Sequence, residues 1–284
     1  MIGFVVGNFT LIQGDVTAVR GRRSVCRQGG LVCKASQALI FDCDGVILES
    51  ESLHRDAYNQ VFREFDVEYE WTPEYYDELQ NKVGGGKPKM RYYFRTYGWP
   101  ASKLGPSPSS SDAETFLIDQ LQDRKTEIYQ EYIAGGVASL RPGVARFMDD
   151  AIAARSDGLL KLAICSAATK SSVWYVLNNL VGEERLSNFD VILAGDDVPK
   201  KKPDPTIYNV ASERMNVSPS NCVVIEDSLI GLQAALAAGM ECVITYTDST
   251  KDQKFEGARK IFPELGNSEE TGVSLLDIFP QLNN

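Results

Sequence analysis

Short apolar runs and helical segments alternate through the second half of this chain, and that alternation restricts the fold more than any other feature. Runs at 162–165, 191–194, 222–225 and 242–245 read as strands. Helical patterns near 143–153, 170–180, 205–215 and 228–238 separate them. A strand, a helix and another strand in steady succession predict a parallel sheet with helices on both faces. A further apolar run at 38–41 supplies one more strand, far upstream of the others.

The segment between that first strand and the rest is helical. Ala57, Val61, Phe62 and Phe65 recur at helical spacing, and Thr72-Pro73 opens a second helix. Residues 84–88, Gly-Gly-Gly-Lys-Pro, break the chain before a third helix that runs to about Tyr97. A Pro/Ser-rich loop at 105–111 precedes a helix over 113–133, for which Asp112 is the expected N-cap. Gly135-Gly136 closes the segment. The expected organisation is an α/β core at 36–48 and 139–284, a helical insertion at 49–138, and a leader at 1–35.

The leader differs in composition from the rest of the chain. It holds Arg20, Arg22, Arg23, Arg27 and Lys34 against one acid, Asp15. An arginine-rich, acid-poor stretch ahead of a folded domain is the pattern of an organellar transit peptide, with a disordered tail as the bland alternative. The whole chain of 284 residues carries a net charge of −10. That acidity argues against non-specific binding to nucleic acid or an anionic membrane, and no apolar run of about 18 residues suggests a spanning helix. The six cysteines form no Cys-x-x-Cys pair, and several lie in apolar runs, which suits buried thiols in a reducing compartment.

Ligands of open α/β sheets bind beyond the carboxyl ends of the strands. There the sequence places Asp42 and Asp44 after the first strand, Ser166 after the second, Lys202 beyond the third, and Glu226-Asp227 after the fourth. Carboxylates, a hydroxyl and a cation at neighbouring strand ends make a plausible site for phosphate and magnesium, because Mg²⁺ takes hard oxygen ligands. Taken singly, each group has a plainer reading. Asp-x-Asp occurs in turns, Glu226-Asp227 and Ser166 suit helix starts, and 200–202 reads as a solvated turn.

In this order the residues Asp42-Cys43-Asp44-Gly45-Val46, Ser166, Lys202-Pro203 and Glu226-Asp227 resemble the haloacid dehalogenase superfamily. The resemblance implies a Rossmann-like core with an inserted helical cap, and it implies roles. Asp42 would be the nucleophile, and Asp44 the acid that protonates the leaving oxygen and then activates water. Ser166 and the amide of Ala167 would hold phosphoryl oxygens, and Lys202 would offset their charge. Asp42, Asp44, Glu226 and Asp227 would form the Mg²⁺ site.

The stretch 42–59, the Gly85-Gly86-Lys87 loop and the Leu140-Arg141-Pro142-Gly143 return are similar to the CbbY group. That group includes a xylulose-1,5-bisphosphate phosphatase of photosynthetic organisms. The similarity implies a small sugar bisphosphate as substrate and sits well with a plastid leader; the expected protein is a monomer of the plastid stroma or otherwise the cytoplasm, with no nucleic-acid or membrane partner. Glu49, His54 and Arg55 would face the sugar. Lys87, Arg55 and Arg141 are the expected cations for a distal phosphate, with Gly85 and Gly86 letting the backbone come close. The 84–89 loop reads equally well as an interhelix turn with solvated lysines. A phosphoglucomutase-like activity remains the alternative. A non-catalytic nucleotide-binding module is disfavoured, because no Gly-x-Gly-x-x-Gly or P-loop pattern comes after a strand.

Overall fold

A computed structural model describes residues 36–83, 85–158, 160–266 and 272–280. The leader at 1–35 and Gly84 lie outside the described residues. Strand β1 (Gln37–Phe41) starts the core, and the chain then enters helices α1 (Glu51–Glu64), α2 (Pro73–Lys82), α3 (Gly86–Tyr97) and α4 (Ser111–Ala134). It returns through α5 (Val144–Ala153), β2 (Leu160–Cys165), α6 (Lys170–Val176), α7 (Glu183–Leu186) and β3 (Val191–Leu193). Helix α8 (Thr206–Met215), β4 (Cys222–Glu226), α9 (Leu229–Ala237), β5 (Glu241–Thr245), β6 (Lys260–Phe262) and α10 (Leu275–Ile278) complete the order.

The strands form one sheet in the order β3-β2-β1-β4-β5-β6, every neighbouring pair parallel. β1 therefore lies centrally, between β2 and β4, although it comes from the far end of the sequence. The period-two geometry of a strand sends alternate side chains to opposite faces. Leu39, Phe41, Leu162, Ile164, Val223 and Ile225 pack on one face with Phe147 and Met148 of α5. Ala38, Ile40, Ala163, Cys165, Val224 and Ile244 pack on the other with Ile207 and Tyr208 of α8 and Leu232 of α9. Both faces are covered, which is why these strands read as unbroken apolar runs rather than as alternating ones.

The first of these clusters runs on into the helical insertion through Leu48, Leu53, Ala57 and Phe62. The two chain crossings are tied together: Leu48 bridges Leu140, and Arg141 N–H donates to the Ile47 carbonyl at 2.9 Å. Inside the insertion, Trp71 is almost fully buried against Tyr58, Phe62, Tyr76 and Tyr93, with ring centroids 4.8–5.8 Å away. Its backbone is held by Asn59, whose amide donates to the Trp71 carbonyl and accepts from the Trp71 N–H, each at 2.8 Å.

Several expectations shift. Ser110, not Asp112, caps α4, its hydroxyl accepting from Ala113 N–H at 3.3 Å. The cap residue must stand outside the helix, and Asp112 is already within its first turn. Helix α3 starts at Gly86, so Lys87 and Pro88 belong to its first turn rather than to a loop. The helix expected at 170–180 becomes α6 followed by a π-turn at Leu177–Val181. β6, three partly exposed residues at the sheet edge, is too short and too wet to show a periodic signal. Among the described residues no helix is long and apolar enough to cross a membrane.

The buried amide of Asn59 yields a stability prediction. Asn59→Ala leaves the Trp71 N–H and C=O without their partner and should cost about 2–4 kcal/mol. Urea unfolding of the two proteins measures this as a lower midpoint with an unchanged slope. A loss below ~1 kcal/mol would show that the pair is not needed to hold the aromatic nest together.

Candidate active site

The carboxyl ends of β1, β2 and β4 converge, and their next residues carry the chemistry. Asp42 follows β1, and its N–H bonds the Ile225 carbonyl of β4 at 3.0 Å, so the sheet itself sets its position. Ser166 follows β2 and is fully buried, its N–H on the Leu193 carbonyl at 3.0 Å. Glu226 ends β4 and Asp227 comes next, both buried.

Lys202 joins these groups. Its ammonium donates to Asp42 Oδ1 at 2.5 Å, to Glu226 Oε1 at 2.6 Å and to the Cys165 carbonyl at 3.0 Å. Glu226 is engaged on both oxygens. Tyr208 O–H donates to Oε1 at 2.6 Å, while Asp227 N–H and Ser228 O–H donate to Oε2 at 3.2 and 3.3 Å. This carboxylate therefore orients Lys202. Gly231 leaves room for it, since a Cβ there would stand 1.9 Å from the Glu226 carboxyl carbon.

Asp44 lies on the turn after Asp42 and accepts from Ser166 O–H at 3.3 Å. The turn depends on Gly45, whose φ of +81° suits glycine, and a Cβ there would come 2.2 Å from Asp227 Oδ2. The hydroxyl of Ser166 also accepts from Ala168 N–H at 3.0 Å, folding the 166–168 loop back over the strand end.

Asp42, Glu226 and Asp227 each place a carboxylate oxygen within 4.8 Å of the others. Burial pushes the Asp42 carboxyl up to about 8 even though Lys202 pulls it down, and it raises Asp227 well above the carboxylate range with help from Glu226 and Asp42. One ammonium does not offset this concentration of negative charge. The donors are hard oxygens, and a divalent cation such as Mg²⁺ suits both the charge and the ligand type. The Asp44 carboxylate is not part of this cluster, being engaged with Ser166 instead.

A cavity of about 730 Å³ opens over the cluster. It takes Asp42, Asp44, Ala167 and Lys202 from the core and Gly85 and Lys89 from the helical insertion. Of the cations expected for a distal phosphate, none lines it. Lys87 is half-exposed and paired with Asp119 at 3.0 Å. Arg55 is paired with Asp56 at 2.7 Å. Arg141 is buried, and its guanidinium donates to the carbonyls of Gly45, Thr245, Tyr246 and Pro263. Glu49 is half-buried beside that guanidinium, which opposes the rise in its pKa caused by burial. Gly86 serves helix packing, because a Cβ there would meet Gln122 Oε1 at 2.1 Å and Tyr58 Oη at 2.4 Å. His54 stacks on Tyr129 at 4.2 Å and, through Nδ1, meets the Lys125 ammonium at 2.6 Å.

Sequence reading missed Lys89, Lys125 and the reach of Glu51. Lys89 stands 4.9 Å above the Tyr76 ring, and burial lowers it to about 8. Residues two apart on a helix point to different sides, so Lys87 and Lys89 could not both face the cavity. Reading 84–88 as a loop concealed that choice. Lys125 did leave a signal, since it falls on the buried stripe of α4 with Ile118, Leu121, Ile128 and Tyr129. Glu51 accepts from Gln80 of α2 and from Ser249 of the core, each at 2.5 Å, a contact across 198 residues that no local pattern foretells.

Comparison with known proteins gives the family of this chain. The haloacid dehalogenase-like hydrolase family matches residues 37–239. A haloacid dehalogenase-like hydrolase domain-containing protein of Arabidopsis thaliana is 55% identical over 84% of this chain and 77% of its own length. A CBBY-like protein of the same plant is 42% identical over 90% of this chain and 78% of its own. Among solved structures, a mutant CbbY from Rhodobacter sphaeroides in complex with xylulose 1,5-bisphosphate superposes with a TM-score of 0.66. It is 32% identical, and the match covers 84% of this chain and all of that one, 100%.

The crowded carboxylates yield a metal prediction. Mg²⁺ should raise the melting temperature of the protein in proportion to the logarithm of its concentration, as a ligand of the folded state does. Asp227→Ala should abolish that rise. An equal Mg²⁺ shift in the variant would remove Asp227 from the metal site.

Proposed function

The chain belongs to the haloacid dehalogenase-like hydrolase family, and on that premise we propose that it is a Mg²⁺-dependent sugar-phosphate phosphatase working through an aspartyl phosphate on Asp42. We take a small sugar bisphosphate, xylulose 1,5-bisphosphate first among them, as the substrate. One observation carries the reading: the Asp42–Lys202 cluster on the sheet and Lys89 on the helical insertion line the same cavity. A nucleophile with its charge-offsetting lysine suits the reacting phosphate, and a second ammonium without a bonded carboxylate suits the distal one. The similarity to a CbbY solved with xylulose 1,5-bisphosphate supports the choice of sugar.

The residues then take these parts. Asp42 Oδ attacks phosphorus, and the sugar oxygen leaves with a proton from Asp44. Lys202 offsets charge on the phosphoryl oxygens, helped by the Ser166 hydroxyl and the Ala167 N–H. Asp44 next takes a proton from water as that water cleaves the Asp42–phosphorus bond. When bound by Asp42, Asp227 and the Asp44 carbonyl, beside Glu226, Mg²⁺ would supply the positive charge that lets a carboxylate approach a phosphate dianion. Lys89 orients the far phosphate, and the insertion closes over the sugar. The basic leader would direct the chain to the plastid, which fits its plant relatives; import of a reporter fused to residues 1–35 tests that assignment.

Phosphate release across a panel of sugar mono- and bisphosphates tests the activity. Xylulose 1,5-bisphosphate should be turned over faster than monophosphates and than ribulose 1,5-bisphosphate, and Asp42→Asn should lose about 10³-fold or more. Substantial glucose-1-phosphate mutase turnover with little phosphate release would favour the mutase instead.

Lys89 adds a pH dependence with a definite sign. Its ammonium is charged below about 8 and neutral above. KM for the bisphosphate should therefore rise between pH 7 and 9, while Lys89→Arg, which stays charged, should flatten that rise. A KM that climbs equally in the arginine variant would exclude Lys89 as the distal contact.

A further inference from the structure

The guanidinium of Arg141 is buried and spends its donors on main-chain carbonyls. One terminal nitrogen bonds Gly45 O and Thr245 O, the latter at 2.8 Å, and also reaches Thr245 Oγ1 at 3.3 Å. The other bonds Tyr246 O at 2.7 Å and Pro263 O at 3.0 Å. One side chain thus clamps three segments that are distant in sequence: the turn after Asp42 and Asp44, the end of β5, and the loop after β6. A planar fork of five N–H donors can do this, and a lysine ammonium cannot.

The Gly45 turn is pinned by Asp227 as well. Its Cα packs against the Asp227 carboxylate so closely that no Cβ fits. Within the turn, Gly45 N–H bonds Leu48 O at 2.8 Å, and Ile47 N–H bonds Cys43 O at 2.9 Å. Those bonds give the turn its shape, but none of them attaches it to the far end of the sheet. Arg141 provides that attachment, and its own N–H on the Ile47 carbonyl ties it to the same turn a second time.

Resting on the reading of Asp44 as acid and base, we propose that Arg141 is a positioning residue: by clamping the Gly45 carbonyl to the ends of β5 and β6, it holds Asp44 where it can reach the leaving oxygen and the attacking water. It acts through the turn and touches no phosphate. A displacement of the turn by about 1 Å is enough to cost on the order of 100-fold in rate. With Mg²⁺ held at saturation, so that any weakening at the Asp44 carbonyl is offset, the loss should fall on proton transfer, because Asp42 is held separately by the Ile225 carbonyl and Lys202.

That separation is what the experiment reads. A sugar oxygen must be protonated to leave, whereas p-nitrophenolate leaves without a proton. Arg141→Lys should lower kcat for a sugar bisphosphate about 100-fold with KM little changed. With p-nitrophenyl phosphate the same variant should release close to one nitrophenol per active site in a fast burst, at a rate within several-fold of the parent. Slow turnover should come after the burst, because hydrolysis of the Asp42 phosphate still needs Asp44. Arg141→Gln, which keeps amide donors without the charge, should behave likewise. Equal loss on both substrates with no burst, a rise in KM alone, or failure of both variants to fold would each overturn the proposal. If the parent protein releases phosphate from neither substrate, it is the phosphatase reading that fails.

Discussion

A buried ammonium between two buried carboxylates is the constraint around which this site is arranged. Lys202, bonded to Asp42, Glu226 and the Cys165 carbonyl, brings together the ends of β1, β2 and β4. Charges in such a place cost several kcal/mol each to desolvate unless their partners are close and well oriented. The structure meets that condition by saturating Glu226 with Lys202, Tyr208, Asp227 N–H and Ser228. Glu226 is so engaged, and Asp42 and Asp227 line the cavity beside it together with Asp44.

The helical insertion is bound to this centre by packing and by polar contacts of different kinds. A single apolar cluster runs from one face of the sheet into α1 and α4, so the two parts share a core. Above it, Glu51 receives Gln80 from the insertion and Ser249 from the core loop after β5. Lys89 and the Lys125–His54 pair add positive or protonatable nitrogens from the insertion, and burial lowers the pKa of each lysine. Of these nitrogens, that of Lys89 lines the cavity over the carboxylates.

The cluster of polar groups at the strand ends was largely legible in the sequence, whereas the side of the cavity that the insertion lines was not. Asp42, Asp44, Ser166, Lys202, Glu226 and Asp227 all come after apolar runs of a parallel sheet, and the strand ends of such a sheet must meet at one edge. Knowing the strands therefore nearly located the residues. Arg141, Arg55 and Lys87 were chosen for their charge and proximity in sequence, and the structure engages each of them elsewhere. A guanidinium beside a chain crossing can serve a ligand or four carbonyls equally well, and only the positions of Gly45, Thr245, Tyr246 and Pro263 decide between them.

What the sequence determined by itself was periodic or local: two-sided burial of the strands, the start of a helix at Thr72-Pro73, and the order of groups at the strand ends. What tertiary structure decided was non-local. The central place of β1 comes from pairing residues about 120 and 185 positions apart, as in Leu39 with Leu162 and Val223. The choice of Lys89 over Lys87 comes from the rotation of α3 against α1 and α4, and the clasp of Glu51 on Ser249 from the seating of the insertion on the core. Hydrophobic periodicity records which face of an element is buried, but it carries no information on which distant polar group lies opposite.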